Sequence, residues 1–227
     1  MRRDGLRAYC GALICFAFSL LLAAQAEQLA LPTVTFTCDF PGSDPSHYVI
    51  SVSSDAHASY VSDGKLTAQA EADADAPTRL EFTISSETAT RIFDLAKRAR
   101  YFKGEIDSKK KNLASAGTKT LSYKDARKAT QATYNYSSVP AVQELTKLFQ
   151  NLSATLEFGR RIEYDYRYQK LALDQEVKRM EEMANQGSLE DVSAVAPILQ
   201  KIANDASIIN GVRARAERLL ARAGAGK

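Results

Sequence analysis

Residues 140–184 read PAVQELTKLFQNLSATLEFGRRIEYDYRYQKLALDQEVKRMEEMA. The apolar side chains Leu145, Leu148, Leu152, Leu156, Ile162, Tyr166, Leu173, Val177, Met180 and Met183 recur mostly at three- and four-residue steps, the period of a helix that buries one side. After Pro140 no proline interrupts the run. Glu163 with Arg167, and Asp174 with Lys178, are acid-before-base pairs four residues apart, each stabilising an exposed helix face by about 0.2–0.5 kcal/mol. The stretch predicts one long helix or two helices in line; a continuous one, rising 1.5 Å per residue, would reach roughly 65 Å. That exceeds the width of a small domain, so the helix is expected to bridge a body before it and a body after it. Gly159 is the expected weak point, because glycine costs a helix interior about 1 kcal/mol relative to alanine.

The residues before this stretch alternate as strands do. Val34, Phe36, Cys38 and Phe40 interleave with Thr33, Thr35, Thr37 and Asp39, the period of a half-buried strand. Tyr48, Ile50 and Val52 repeat the pattern, and a short strand over 58–62 leads into Asp63-Gly64, a hairpin signal with 65–70 as the returning strand. Leu80, Phe82 and Ile84 resume the alternation. Ser86 is placed to cap a helix that buries Ile92, Leu95, Ala96, Ala99 and Phe102, with Gly104 beyond its end. Further strands are expected over 118–123 and 128–136. The predicted fold is α+β: an antiparallel sheet with helices on one face, then a long helix leading into an α-helical C-terminal module. In that module Pro197 should kink or split the segment that begins at Ser188, and Ser207 should cap the last helix.

The N-terminus carries a destination. Arg2, Arg3 and Arg7 precede an apolar run over 8–24, and Ala24-Gln25-Ala26 supplies the small residues of a cleavage site, the order of a secretory signal. The run is shorter than the roughly 20 residues of a membrane span, so cleavage near Ala26 is expected, with no stable membrane insertion afterwards. The expected organisation is a signal peptide over 1–26, a sheet domain over 27–156 and a helical module over 157–227. Cleavage leaves 27 basic and 26 acidic residues, a net of +1 that gives no general attraction to nucleic acid. It also leaves Cys38 as the sole cysteine, so no intramolecular disulfide can form.

Two resemblances follow from particular residues. Pro197-Ile198-Leu199-Gln200-Lys201-Ile202-Ala203-Asn204-Asp205, followed by Val212-Arg213-Ala214-Arg215-Ala216-Glu217-Arg218-Leu219-Leu220, resembles one HEAT-like helical hairpin over about 189–223. Such hairpins occur in protein-binding scaffolds, but arrays need about three copies to bury a core, so this single one is expected to pack on the long helix. The region 47–153, with Ser-Asp before an aromatic strand, Asp-Gly, a helix ending in Tyr101-Phe102 and a closing helix after Pro140, looks like exported bacterial domains of unknown function. That likeness implies an envelope protein and no particular activity.

Chemistry-bearing residues are few. Cys38 shares a face with Val34 and Phe36, where a buried thiol is inert. His47 and His57 are the only histidines. Ser53, Asp55 and His57 have the residue types of a hydrolase triad but lie within five residues, which reads as a turn. Glu71, Asp73 and Asp75 lack the glycine and closing glutamate of a calcium loop. No CxxC, HExxH or glycine-rich phosphate loop occurs, so no metal or cofactor is expected. The triple lysine 109–111 reads as solubilising charge. The remaining candidate is Arg160, Arg161, Tyr164 and Tyr168 on the long helix, residue types that anchor protein interfaces. The expected function is that of an exported, non-catalytic protein that binds another envelope or secreted protein. The alternative is a small-ligand or polysaccharide binder using the sheet near His47, His57 and Tyr60, and a hydrolase is the third reading.

Overall fold

A computed structural model describes residues 31–66, 77–109 and 117–225. The signal segment, the acidic 71–75 stretch, the returning strand beyond Leu66 and Lys110-Lys111 lie outside the described residues. Six strands form one sheet, β1 (Thr33–Asp39), β2 (His47–Ser53), β3 (His57–Ser62), β4 (Thr78–Thr83), β5 (Thr118–Lys124) and β6 (Ala129–Tyr134). Their order is β4-β3-β2-β1-β5-β6, and every neighbouring pair is antiparallel. The alternation sets the faces. Val34, Phe36, Ile50, Val52, Tyr60 and Leu121 point inward and are fully buried. Thr35, Ser51, Ser59 and Ser122 lie side by side in register on the other, half-exposed face. Phe40 departs from the expected pattern, since β1 stops at Asp39 and the ring turns outward, 40% exposed.

Two helices, α1 (Ser86–Arg98) and α2 (Pro140–Tyr168), cover the apolar face. The Phe149 ring of α2 stacks on Phe36 of β1 with centroids 5.2 Å apart. Ser85, one residue earlier than expected, caps α1 by accepting from the Thr88 amide at 3.1 Å. The helix does not run on to Phe102. Arg100, Tyr101 and Phe102 have φ of 55°, 54° and 62°, left-handed values that cost roughly 1–2 kcal/mol per residue. The offset is packing: Phe102 is buried, Lys128 sits 3.3 Å over the Tyr101 ring, and Thr130 Oγ1 donates to the Tyr101 carbonyl at 2.5 Å.

The long helix differs from the expectation in two respects. It is continuous through Gly159, where a Cβ would fall inside van der Waals contact with Val195; glycine is there to admit a neighbour. It ends at Tyr168, and α3 (Leu173–Asn185) does not continue in line but folds back beside it, with Arg161 of α2 paired to Glu176 of α3 at 2.5 Å. Leu173, Val177 and Met180 are fully buried on the return, and this burial outweighs the helical propensity of the connecting residues. Residues 188–191 are not helical. A 3-10 turn (Val192–Val195) precedes α4 (Ala196–Asn204), whose first turn holds Pro197, and α5 (Asn210–Ala225) begins three residues after Ser207. The buried apolar residues of sheet and helices form one continuous core.

Candidate functional site

The four predicted contact residues part company along α2. Arg160 is 8% exposed and points inward. Arg161 is partly buried, paired through Nε to Glu176, with its guanidinium 4.8 Å from the Phe158 ring. Tyr164 is half-buried and packs its ring against Tyr168, centroids 5.1 Å apart. Tyr168 is 70% exposed, and beside it Leu171, in the elbow between α2 and α3, is 98% exposed. The elbow is tied to the α4–α5 turn: Tyr166 Oη donates to Asp205 Oδ2 at 2.9 Å, and Lys170 Nζ donates to Ser207 Oγ at 3.0 Å. That turn carries Ile209, 65% exposed, so three large apolar side chains collect at one end of the helical module.

Arg160 belongs to a buried network centred on Glu157. The Glu157 carboxylate accepts from Tyr60 Oη at 2.7 Å, from Ser62 Oγ at 2.7 Å and from Arg160 Nη1 at 2.7 and 2.8 Å. Arg160 Nη2 also donates to the Gly64 carbonyl at 3.1 Å and to Thr78 Oγ1 at 2.6 Å. Burial, with the Glu157 carboxylate next, pushes the Tyr60 hydroxyl far above its ordinary value. Tyr60 therefore keeps its proton and donates a hydrogen bond to Glu157, which leaves Ser153 Oγ, 3.0 Å away, to donate to Tyr60. Gly64 has no room for a side chain, because a Cβ would lie 2.8 Å from Glu157 Oε2. The network pins α2 to β3, to the chain after β3 and to the start of β4.

Beside this network opens a cleft of about 530 Å³. Its floor is one stripe of α2, Gln150, Ser153, Ala154, Glu157 and Phe158, spaced at helical intervals. One wall is the end of β1 with the 43–45 loop, and the other is α3 through Arg179 and Met183. Cys38 and Tyr48 close the inner end. Burial raises the Cys38 thiol above its ordinary value, against the lowering influence of Tyr48 and Lys119, so it stays protonated at neutral pH. Arg179 is exposed, lies 5.9 Å from the Phe158 centroid, and makes no ion pair or hydrogen bond among the described residues.

The sheet-face alternative meets a geometric obstacle. Tyr60 is fully buried on the helix-covered face, whereas His47 and His57 are on the open face. His47 pairs in register with Asp39 and His57 lies beyond Ser53 at the opposite end, six strand residues away, which is about 20 Å. Every aromatic of the six described strands (Phe36, Tyr48, Tyr60, Phe82, Tyr123, Tyr134) turns toward the helices, so among the described residues these strands place no aromatic ring on the open face for a sugar to stack on. The Ser53, Asp55, His57 cluster is a turn with the carboxylate in the middle: Asp55 accepts from Ser53 Oγ at 2.5 Å and lies 3.2 Å from His57 Nδ1. A triad needs the imidazole between the other two. His47 Nδ1 meets Asp39 Oδ1 at 2.5 Å on the exposed rim.

Among the described residues no cluster of three potential ligands is placed to hold a metal ion, and no helix is long and apolar enough to cross a membrane. No protein-family model matches the chain, and no curated protein is detectably similar to it.

Proposed function

We propose that this chain is an exported, non-catalytic binding protein of the bacterial envelope that engages another envelope or secreted protein through the tip of its helical module. The observation that carries the reading is the exposure of Tyr168, Leu171 and Ile209 at 70%, 98% and 65% where α2, α3 and the α4–α5 turn meet. Large apolar side chains gathered on a rigid end are the material of an interface centre. Tyr164 backs Tyr168 and holds its ring. Arg160 and Arg161 serve inside, in the Glu157 and Glu176 pairs, so the contact set is the aromatic end of the predicted stripe together with the elbow. The α4–α5 pair, read as a single HEAT-like hairpin, supplies the rigid support. Export rests on the basic, apolar and small-residue order over 1–26.

The test is affinity capture from envelope extracts with the wild-type chain and with Tyr168→Ala/Leu171→Ser. Both side chains are exposed, so the variant should melt within about 0.5 kcal/mol of wild type. The expected result is a protein captured by the wild type and lost with the variant. Equal capture by both would overturn the reading.

A further inference from the structure

We propose that the cleft between the β1 end, α2 and α3 is a binding site for a small organic acid, a carboxylate or phosphate carried on an apolar body. This goes beyond the docking tip and is independent of it. The volume, about 530 Å³, falls in the range of roughly 300–1,000 Å³ typical of small-ligand sites.

Charge placement selects the ligand's head. Two guanidinium groups converge on one ring, Arg161 at 4.8 Å and Arg179 at 5.9 Å from the Phe158 centroid. Arg161 is paired to Glu176 through Nε, which leaves its terminal nitrogens as donors. Arg179 has no carboxylate partner among the described residues. The floor carboxylate, Glu157, does not compete for it, because Arg160, Tyr60 and Ser62 already occupy its oxygens. An arginine beside an aromatic ring in the lining of a cleft is placed to take an anion in the bidentate manner. The opposite wall selects the tail: Phe40, 40% exposed, and Pro45 offer apolar surface there, and Asp44 on the same wall is held through Oδ1, which accepts from the Lys65 amide at 2.9 Å. The inner end suits a neutral group, since both Cys38 and Tyr48 are pushed up by burial and keep their protons.

The experiment titrates the full chain with benzoate and phenyl phosphate, using benzamide as the neutral counterpart, and follows melting temperature and calorimetric heat. Each variant is first checked by circular dichroism. Arg179→Gln should fold as wild type does, because Arg179 is exposed and unpaired. The expected result is saturable binding of one or both acids, at least tenfold weaker binding of benzamide, and a loss of tenfold or more in Arg179→Gln that Arg179→Lys partly restores. Preference for phenyl phosphate over benzoate would assign a phosphate ligand, and the reverse a carboxylate. The variant Tyr168→Ala/Leu171→Ser should bind the acids unchanged, which separates this site from the docking tip. Equal responses to acid and amide, undiminished affinity in Arg179→Gln, or no saturable heat with any probe would overturn the assignment.

Discussion

Replacing Glu157 by alanine should cost about 3–5 kcal/mol, the usual loss when one partner of a buried ion pair is removed. The structure gives the reason. The side chains of Glu157 and Arg160 are 5% and 7% exposed, and the carboxylate is the shared acceptor for Arg160, Tyr60 and Ser62. Its removal leaves a guanidinium with only Gly64 O and Thr78 Oγ1, and it takes away the acceptor of the Ser62 hydroxyl, whose oxygen keeps only the Gly64 amide at 2.8 Å. Tyr60 retains Ser153. Against a total stability of about 5–15 kcal/mol this is a large fraction. At roughly 2–4 °C per kcal/mol for a domain of this size, the melting temperature should fall by about 6–20 °C. Urea unfolding is the assay, with the midpoint lowered and the slope kept. Arg160→Ala should cost a similar amount, and the double variant only a little more than either, so that the coupling is nearly as large as one single loss. Additive losses, or single losses under about 1 kcal/mol, would refute the view that the pair clamps α2 to β3 and β4.

Two further outcomes follow from individual contacts. Gly159→Ala should destabilise by about 1–3 kcal/mol despite the better helix former, because its Cβ overlaps Val195; Val195→Ala in the same chain should recover most of that loss in urea melts, and an unrelieved loss would place the strain elsewhere. Burial holds the Glu190 carboxyl above its ordinary value, with Arg91 opposing and Asp191 adding to the effect. The native state therefore binds this proton more readily than the unfolded state. Its contribution to stability should fall as pH rises from the ordinary value through the raised one. Urea melts from pH 4 to 7 should show wild type losing ground to Glu190→Gln across that window, and parallel profiles would contradict it.

The strands were legible because one face of the sheet is buried and the other is not. Val34 and Phe36 against Thr33 and Thr35 fix both the element and its register. The elbow at 169–172 was not legible, since Gln169-Lys170-Leu171-Ala172 contains no breaker. What ends α2 is the pull of Leu173, Val177 and Met180 back onto the core, a tertiary effect. Gly159 misled for a related reason: intrinsic propensity marks it as weak, while the neighbour that requires it, Val195, lies 36 residues away. A signal for the buried network was present. Ser153, Glu157 and Arg160 follow one another at four- and three-residue steps along the side of α2 that flanks the stripe of Leu145, Leu152 and Leu156, and a carboxylate with an arginine three residues on, beside an apolar stripe, points to a buried pair. The cleft left no such trace, because its walls come from three separate segments that only the fold brings together. Arg161 and Tyr168 read as one surface; α3 folding back covers the first and leaves the second exposed.

The docking tip is tested most directly by placing a photo-reactive amino acid at position 168 of the full chain in cells of its native host. Crosslinked products are then identified by mass spectrometry, with the same group at exposed Lys178 as the control. The predicted result is a discrete crosslink from position 168 to one other envelope or secreted protein, absent from position 178. Crosslinks confined to the chain itself, or identical products from both positions, would contradict it.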